Sequence, residues 1–281
     1  MRPVGPILRP LLYAVLIGLA AGCSVFEADD DRSVEDLSAQ EIFRLGESQL
    51  ADGDGAEAAQ TFNEIERLYP FSQLAKRAII MSAYSSYEAG QYGAARASAK
   101  RYVDLYPSDA DAPYAQYLIA LTYYDNITDV GRDQNMTEEA LQSLTEVVQR
   151  YPDSEFARDA NLKIDLTRDH LAGKEMTIGR YYLKLGHYTA AINRFRRVVD
   201  EYETTSQTPE ALHRLVEANL ALGLEREAIA AAAVLGHNFP GSDWYLDSYE
   251  LLTGRDLIPD DEDPDGFFSR VYRRVIQGKW L

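Results

Sequence analysis

The feature that most restricts the fold is a punctuation pattern that recurs five times. Ala58, Ala95, Ala140, Ala191 and Ala228 are followed twelve residues later by Pro70, Pro107, Pro152, Glu203 and Pro240. The residue before each of these is aromatic: Tyr69, Tyr106, Tyr151, Tyr202 and Phe239. Five residues before each alanine stand Gly53, Gly90, Asn135, Gly186 and Gly223. Glycine and asparagine tolerate positive φ and can end a first helix in a tight turn. The small alanine lets two helices approach closely. Proline then stops the second helix, because it lacks an amide hydrogen and biases its predecessor away from helical dihedrals. Each unit reads as a helical hairpin.

The alanines are separated by 37, 45, 51 and 37 residues, close to the period of about 34 residues of a tetratricopeptide array with insertions in the middle. Ile42, Leu45, Gly46, Ala58, Phe62, Ile65 and Pro70 fall on the consensus positions of such a repeat, as do Leu212, Leu215, Ala228, Leu235 and Pro240 in the fifth unit. The expected fold is all-α, a tetratricopeptide-type α-solenoid of about five hairpins over residues 39–255. Two departures stand out. The third unit carries a polar loop, Asp125 to Thr137, between its helices. From Pro152 to Gly186 there are 34 residues where Pro70 to Gly90 spans 20, which lengthens the fourth unit's first helix by 14.

In such arrays the first helix of each hairpin lines the concave face, an extended peptide groove. The consensus register points Phe43, Glu47 and Leu50 into it from the first unit, and Arg77, Ile80, Tyr84 and Tyr87 from the second. Tyr114, Tyr117, Leu121 and Tyr124 follow from the third, with Ala120 as the small packing residue. Tyrosine joins a large apolar face to a hydroxyl that needs a partner, which suits a surface alternately wet and occupied. Packing between hairpins accounts equally well for any one of these rings; their clustering favours the groove. Arg77, at its edge, suits a terminal carboxylate.

The ends of the chain set the compartment. Residues 1–22 carry Arg2 and Arg9, the apolar run Leu11 to Ala21, and the small residues Ala20-Ala21-Gly22, the signature of an export signal. Eleven apolar residues are about half of the ~20 needed to span a bilayer. The single cysteine, Cys23, stands at the cleavage point, so it has no disulfide partner, and Leu19-Ala20-Ala21-Gly22-Cys23 resembles a bacterial lipobox. Lipidation at Cys23 would tether residues 23–38 as a linker, since each buried methylene of the lipid contributes about 0.8 kcal/mol. Residues 256–281 read as an acidic spacer, Asp256 to Asp265, followed by an amphipathic helix over Phe267 to Ile276. Its shortness favours packing on the last repeat or docking on a partner over lying on a membrane. The net charge of −17 argues against nucleic acid as a partner.

No catalytic constellation is expected. His170, His187, His213 and His237 lie far apart and lack metal-ligand spacing, no phosphate-cradling glycine loop or nucleophile elbow occurs, and acid pairs such as Glu138 and Glu139 read as solvated helix faces. No metal and no cofactor beyond the lipid on Cys23 is expected.

Three stretches carry a resemblance to a known family: Tyr114-Ala115-Gln116-Tyr117-Leu118-Ile119-Ala120-Leu121-Thr122-Tyr123-Tyr124, the loop Asp125 to Gln134 ending Gly131-Arg132-Asp133-Gln134, and Tyr151 to Ala160. With Ala190-Ala191-Ile192-Asn193-Arg194-Phe195, they resemble the BamD family, lipoprotein subunits of the machinery that inserts β-barrel proteins into the Gram-negative outer membrane. The resemblance implies a non-enzymatic scaffold on the periplasmic face of the outer membrane. Its amino-terminal repeats would receive the C-terminal targeting segments of unfolded outer-membrane proteins. Arg194 would face the POTRA region of BamA, and other BAM lipoproteins would attach. A generic tetratricopeptide lipoprotein adaptor organising cell-wall enzymes is the competing reading, because fold does not fix function; the inserted loop and lengthened helix favour the first.

Overall fold

A computed structural model describes residues 33–258 and 264–276. The signal segment 1–22, Cys23 with most of the linker, and the middle of the acidic spacer lie outside the described residues. Among the described residues, a 3₁₀ turn, Val34–Asp36, precedes twelve α-helices. These are α1 (Ala39–Ala51), α2 (Gly55–Leu68), α3 (Gln73–Glu88), α4 (Tyr92–Leu105), α5 (Ala112–Tyr124) and α6 (Asn135–Arg150). They are followed by α7 (Glu155–Lys184), α8 (Tyr188–Glu201), α9 (Thr208–Ala221), α10 (Glu225–Asn238), α11 (Asp243–Thr253) and α12 (Pro264–Ile276). No strand occurs among the described residues.

Helices α1 to α10 form five hairpins, a tetratricopeptide-type α-solenoid. The first helices pack on one another in order, α1 on α3, α3 on α5 and α5 on α7, and no comparable pairing joins second helices among the described residues. First helices therefore make the inner layer. All five register alanines are fully buried. Gly53, Gly90, Gly186 and Gly223 have φ between 69° and 90°, each within a paired-bond helix stop such as Gly53 N–H to Leu50 C=O and Asp54 N–H to Gln49 C=O. Helices α2, α4, α6, α8 and α10 each end two residues before the proline position, with the aromatic residue as cap. In the unit that has Glu203 in place of proline, the Thr205 and Thr208 hydroxyls donate to the Tyr202 carbonyl at 2.8 and 3.0 Å. The Tyr202 carbonyl is thus satisfied outside the helix, as the Tyr151 carbonyl is by Ser154 at 2.8 Å in a unit that has the proline.

Three sequence expectations change. Asn135 does not take the positive φ of its glycine counterparts; it opens α6, because the loop closing this hairpin is long enough to turn without a left-handed residue. That loop is Asp125 to Gln134, three residues shorter than expected at its far end. Helix α11, between the fifth unit and the spacer, had no place in the repeat count. Ser242 caps it by accepting the Tyr245 amide at 3.2 Å, and it packs on α9 and α10 as the first helix of a further hairpin would. The predicted lengthening is present: α7 has 30 residues against 16 in α3, a difference of 14.

The amphipathic C-terminal helix caps the array. Phe268 and Val271 of α12 are 3% and 4% exposed, in a core cluster with Val216, Ala228, Ala232 and Leu252, and Tyr272 stacks on His237 at 3.8 Å. A solenoid's terminal hairpin otherwise leaves one apolar face wet.

Candidate functional site: an inner groove and an arginine patch

The register residues on α1, α3 and α5 do share the inner layer, but they differ in accessibility. Phe43, Ile80 and Tyr117 are each less than a tenth exposed and belong to the core; they form a floor, where the sequence reading had them facing the groove. Phe43 packs edge-on against Phe62 at 5.2 Å. Arg77 lies 5.0 Å above the Phe43 ring, with Glu47 at 3.9 Å, and its side chain is 61% exposed. This guanidinium presents most of its donors to solvent at one end of the groove.

Two of the tyrosine hydroxyls are tied to the neighbouring hairpin. Tyr87 donates to Asp125 and Tyr117 to Asp159, each bond joining consecutive hairpins. Burial, reinforced by these carboxylates, raises both phenols above their ordinary value. Tyr114, wedged 5.4 Å from Phe156, is pushed up to about 12 by burial. Lys163 pairs with Asp159 at 2.8 Å and sits 5.4 Å over the Tyr124 ring, while Leu121 and Tyr124 pack half-buried against the core cluster of Tyr117, Ala120, Leu144, Val147 and Ala160. The surface open to a ligand is carried by Tyr84, Tyr87, Tyr114, Leu121 and Tyr124, all partly exposed.

Sequence reading missed two members. The 82-residue offset from Pro70 to Pro152 maps Ile80 and Tyr84 onto Leu162 and Leu166 of α7, and the same offset relates the serine caps Ser72 and Ser154. Leu162 and Leu166 are 63% and 62% exposed, so they are the most accessible apolar side chains at groove positions. The register already contained the signal; carrying it into the lengthened fourth unit would have found them.

The second feature lies where α7 meets the inserted loop and α8. Lys174 donates to the Gly131 and Arg132 carbonyls at 3.0 Å each, latching the loop onto the lengthened helix. The next residue, Glu175, is buried and accepts from Arg194 and Arg197, both at 3.0 Å. A cleft of about 470 Å³ opens between these parts, lined among others by Arg132, Lys174, Ile178, Arg197 and Tyr202. Arg194 is thus a half-exposed cation bound to its own chain. The two departures from the plain repeat meet here.

One buried set has the residue types of an acyl-transfer triad but not its chemistry. Ser248 Oγ lies 2.8 Å from His213 Nδ1, with Glu217 3.7 Å from Nε2. Ser248 is wholly buried and donates its proton to the Trp244 carbonyl, so it has no approach to a substrate. No described helix is long and apolar enough to cross a membrane.

A family model described as YfiO, an outer membrane lipoprotein, matches residues 35–235. An outer membrane protein assembly factor BamD from Caulobacter vibrioides is 47% identical over 249 residues, which is 88% of this chain and 82% of that one. The chain belongs to this family. A second BamD-family relative, the outer membrane protein assembly factor of Rickettsia prowazekii, is 41% identical over 246 residues, 87% of this chain and 97% of its own. A thermophilic tetratricopeptide protein of Thermus thermophilus overlaps with a TM-score of 0.35 at 20% identity, covering 79% of this chain and 100% of the other. The family match spans both the groove and the arginine patch and ends within α10, so α11 and α12 lie beyond it.

Proposed function

We propose that this chain is a lipid-anchored, non-enzymatic subunit of an outer-membrane β-barrel assembly machinery, held at the periplasmic face of the outer membrane through Cys23. Its inner groove receives the C-terminal targeting segments of unfolded outer-membrane proteins. Its α8 face, through Arg194, docks the POTRA region of BamA, and other BAM lipoproteins attach to the same scaffold. Membership of the assembly-factor family supports this reading. So does the groove, whose open surface combines ring faces and leucines with an exposed guanidinium at one end. An extended segment with apolar side chains and a free terminal carboxylate matches that chemistry, the carboxylate going to Arg77.

The test is binding of a peptide with a C-terminal aromatic residue to the full chain. A Tyr84→Ala, Leu166→Ser double variant should weaken binding about tenfold or more, because two apolar contacts are removed from opposite ends of the trough. An unchanged affinity overturns the groove assignment. Tyr117 is a poor probe, since it is buried and truncating it opens the core.

A further inference from the structure

We infer that Glu175 is a positioning residue: it holds Arg194 ready for a carboxylate on the partner surface. The inference rests on the proposed docking role of α8. Glu175 is 7% exposed and accepts one bond from each of two guanidiniums, from Arg194 on Oε2 and from Arg197 on Oε1. The two arginines are not equivalent. Arg197 also donates its Nε to Glu201 at 2.9 Å, so two carboxylates compensate it. Among the described residues, Arg194 makes a single side-chain bond, to Glu175. Its side chain is 38% exposed, and a guanidinium has five N–H donors in a rigid planar fork. Most of those donors remain for an incoming group.

Holding matters because a long side chain gives up conformational freedom when it docks. A buried carboxylate that holds one nitrogen of the guanidinium imposes that cost before the partner arrives, and leaves the other donors of a partly exposed side chain free. Glu175 also separates two like charges on one helix face, which would otherwise repel each other. With Glu201, the cluster has two cations and two anions; Arg194 has one carboxylate bond against two for Arg197, and so keeps the larger share of unused donors. The partner surface this fits is a carboxylate, presented so that it can take two parallel N–H bonds.

The experiment measures affinity of the full lipid-anchored chain in detergent for the purified POTRA region of BamA, with helicity followed alongside. Arg194→Gln should weaken association about tenfold or more, the loss expected for a charged hydrogen bond, and Glu175→Gln should weaken it by a comparable factor with helicity unchanged. In the Arg194→Gln background, adding Glu175→Gln should cost nothing further, because its effect passes through Arg194. Arg194→Lys, which keeps the charge but not the planar fork, should lose most of the affinity; this variant carries the test if Glu175→Gln does not fold. Full binding by Arg194→Lys, or an undiminished effect of Glu175→Gln in the Arg194→Gln background, overturns the positioning role. So does normal binding by Glu175→Gln when Arg194→Gln is weak. If Arg194→Gln itself binds normally, the docking role of α8 falls, and the positioning role with it.

Discussion

Hairpins one to three and the part of the chain from α7 onward use the same backbone repeat but join their helices with different chemistry. In the first region phenols add links beside ion pairs such as Arg101 to Glu66 at 2.7 Å: Tyr69 to the Leu37 carbonyl at 2.6 Å, Tyr102 to Asp109 at 2.6 Å, and Tyr87 to Asp125. Tyr117 carries the pattern onto α7 at Asp159. In the second the links are guanidiniums: Arg180 to Glu210 at 2.9 Å, and Arg194 and Arg197 to Glu175. A phenol has one proton to give, and once it is given inward only the ring face remains for a ligand. A guanidinium that gives one proton has others left. One scaffold thus offers a groove of ring faces edged by Arg77 at one end and a cluster of paired arginines at the other.

The sharpest way to break this comparison uses matched core positions. Phe62 and Phe195 each follow the register alanine by four residues, are fully buried, and sit against a glycine. A methyl group at Gly46 or Gly179 would come within 2.8 or 2.5 Å of the facing ring. Phe62→Ala and Phe195→Ala should each destabilise the protein by about 3–5 kcal/mol in urea unfolding. Because a solenoid is stabilised mainly by neighbouring contacts, Phe62→Ala should weaken peptide binding more than POTRA binding, and Phe195→Ala the reverse. Equal losses of both activities in both variants would show one cooperative unit in place of two regions.

The C-terminal cap gives the next effect. Replacing Phe268 and Val271 by serine removes the apolar side chains that α12 buries, and should cost about 3 kcal/mol with new binding of a hydrophobic dye. Peptide binding at the far end should be preserved. A variant with unaltered stability and no dye binding would mean that the cap does not protect the last hairpins.

Acid gives the smallest effect and separates the regions by pH. Burial lowers His213 below its ordinary 6.5, against the raising influence of Glu217, Asp247 and Glu210, while Arg214 adds to the lowering. The folded chain favours the neutral ring, so its contribution is present above pH 6.5 and is lost as pH falls below it. In the first region Asp109 is lowered from 3.8 to about 2 by bonds from Lys76 and Tyr102. That contribution is present above 3.8 and is lost only as pH falls towards 2. Trp244, whose ring centroid is 5.2 Å from that of His213, should therefore report loosening between pH 7 and 5 while far-ultraviolet ellipticity holds. His213→Gln should abolish the fluorescence change; persistence of the change would assign it elsewhere.

Much of this was readable because hairpin formation is a local matter. The glycine, alanine and aromatic-proline punctuation acts through helix stops and close approach over a few residues, and five units repeat it. The excess length of α7 followed from counting between two stops. Asn135 misled because its position in the register resembled a turn, while a ten-residue loop removed the need for one. Helix α11 was invisible to a search for whole hairpins, since its companion is replaced by α12. At the groove, sequence placed the right helix faces but could not grade burial: Phe43, Ile80 and Tyr117 share their register with residues that stay open.

The order of residues by itself determined the helical hairpins, their number, the site of the insertion and the family, because each depends on local dihedral preferences or on matching residues one by one. Only the tertiary structure decided which phenols are tied inward, that Leu162 and Leu166 stand open, that Lys174 latches the loop, and that Glu175 joins Arg194 to Arg197. Those outcomes depend on distances between side chains 19 to 43 positions apart, set by how each helix rotates against its neighbours when the alanines and rings close-pack.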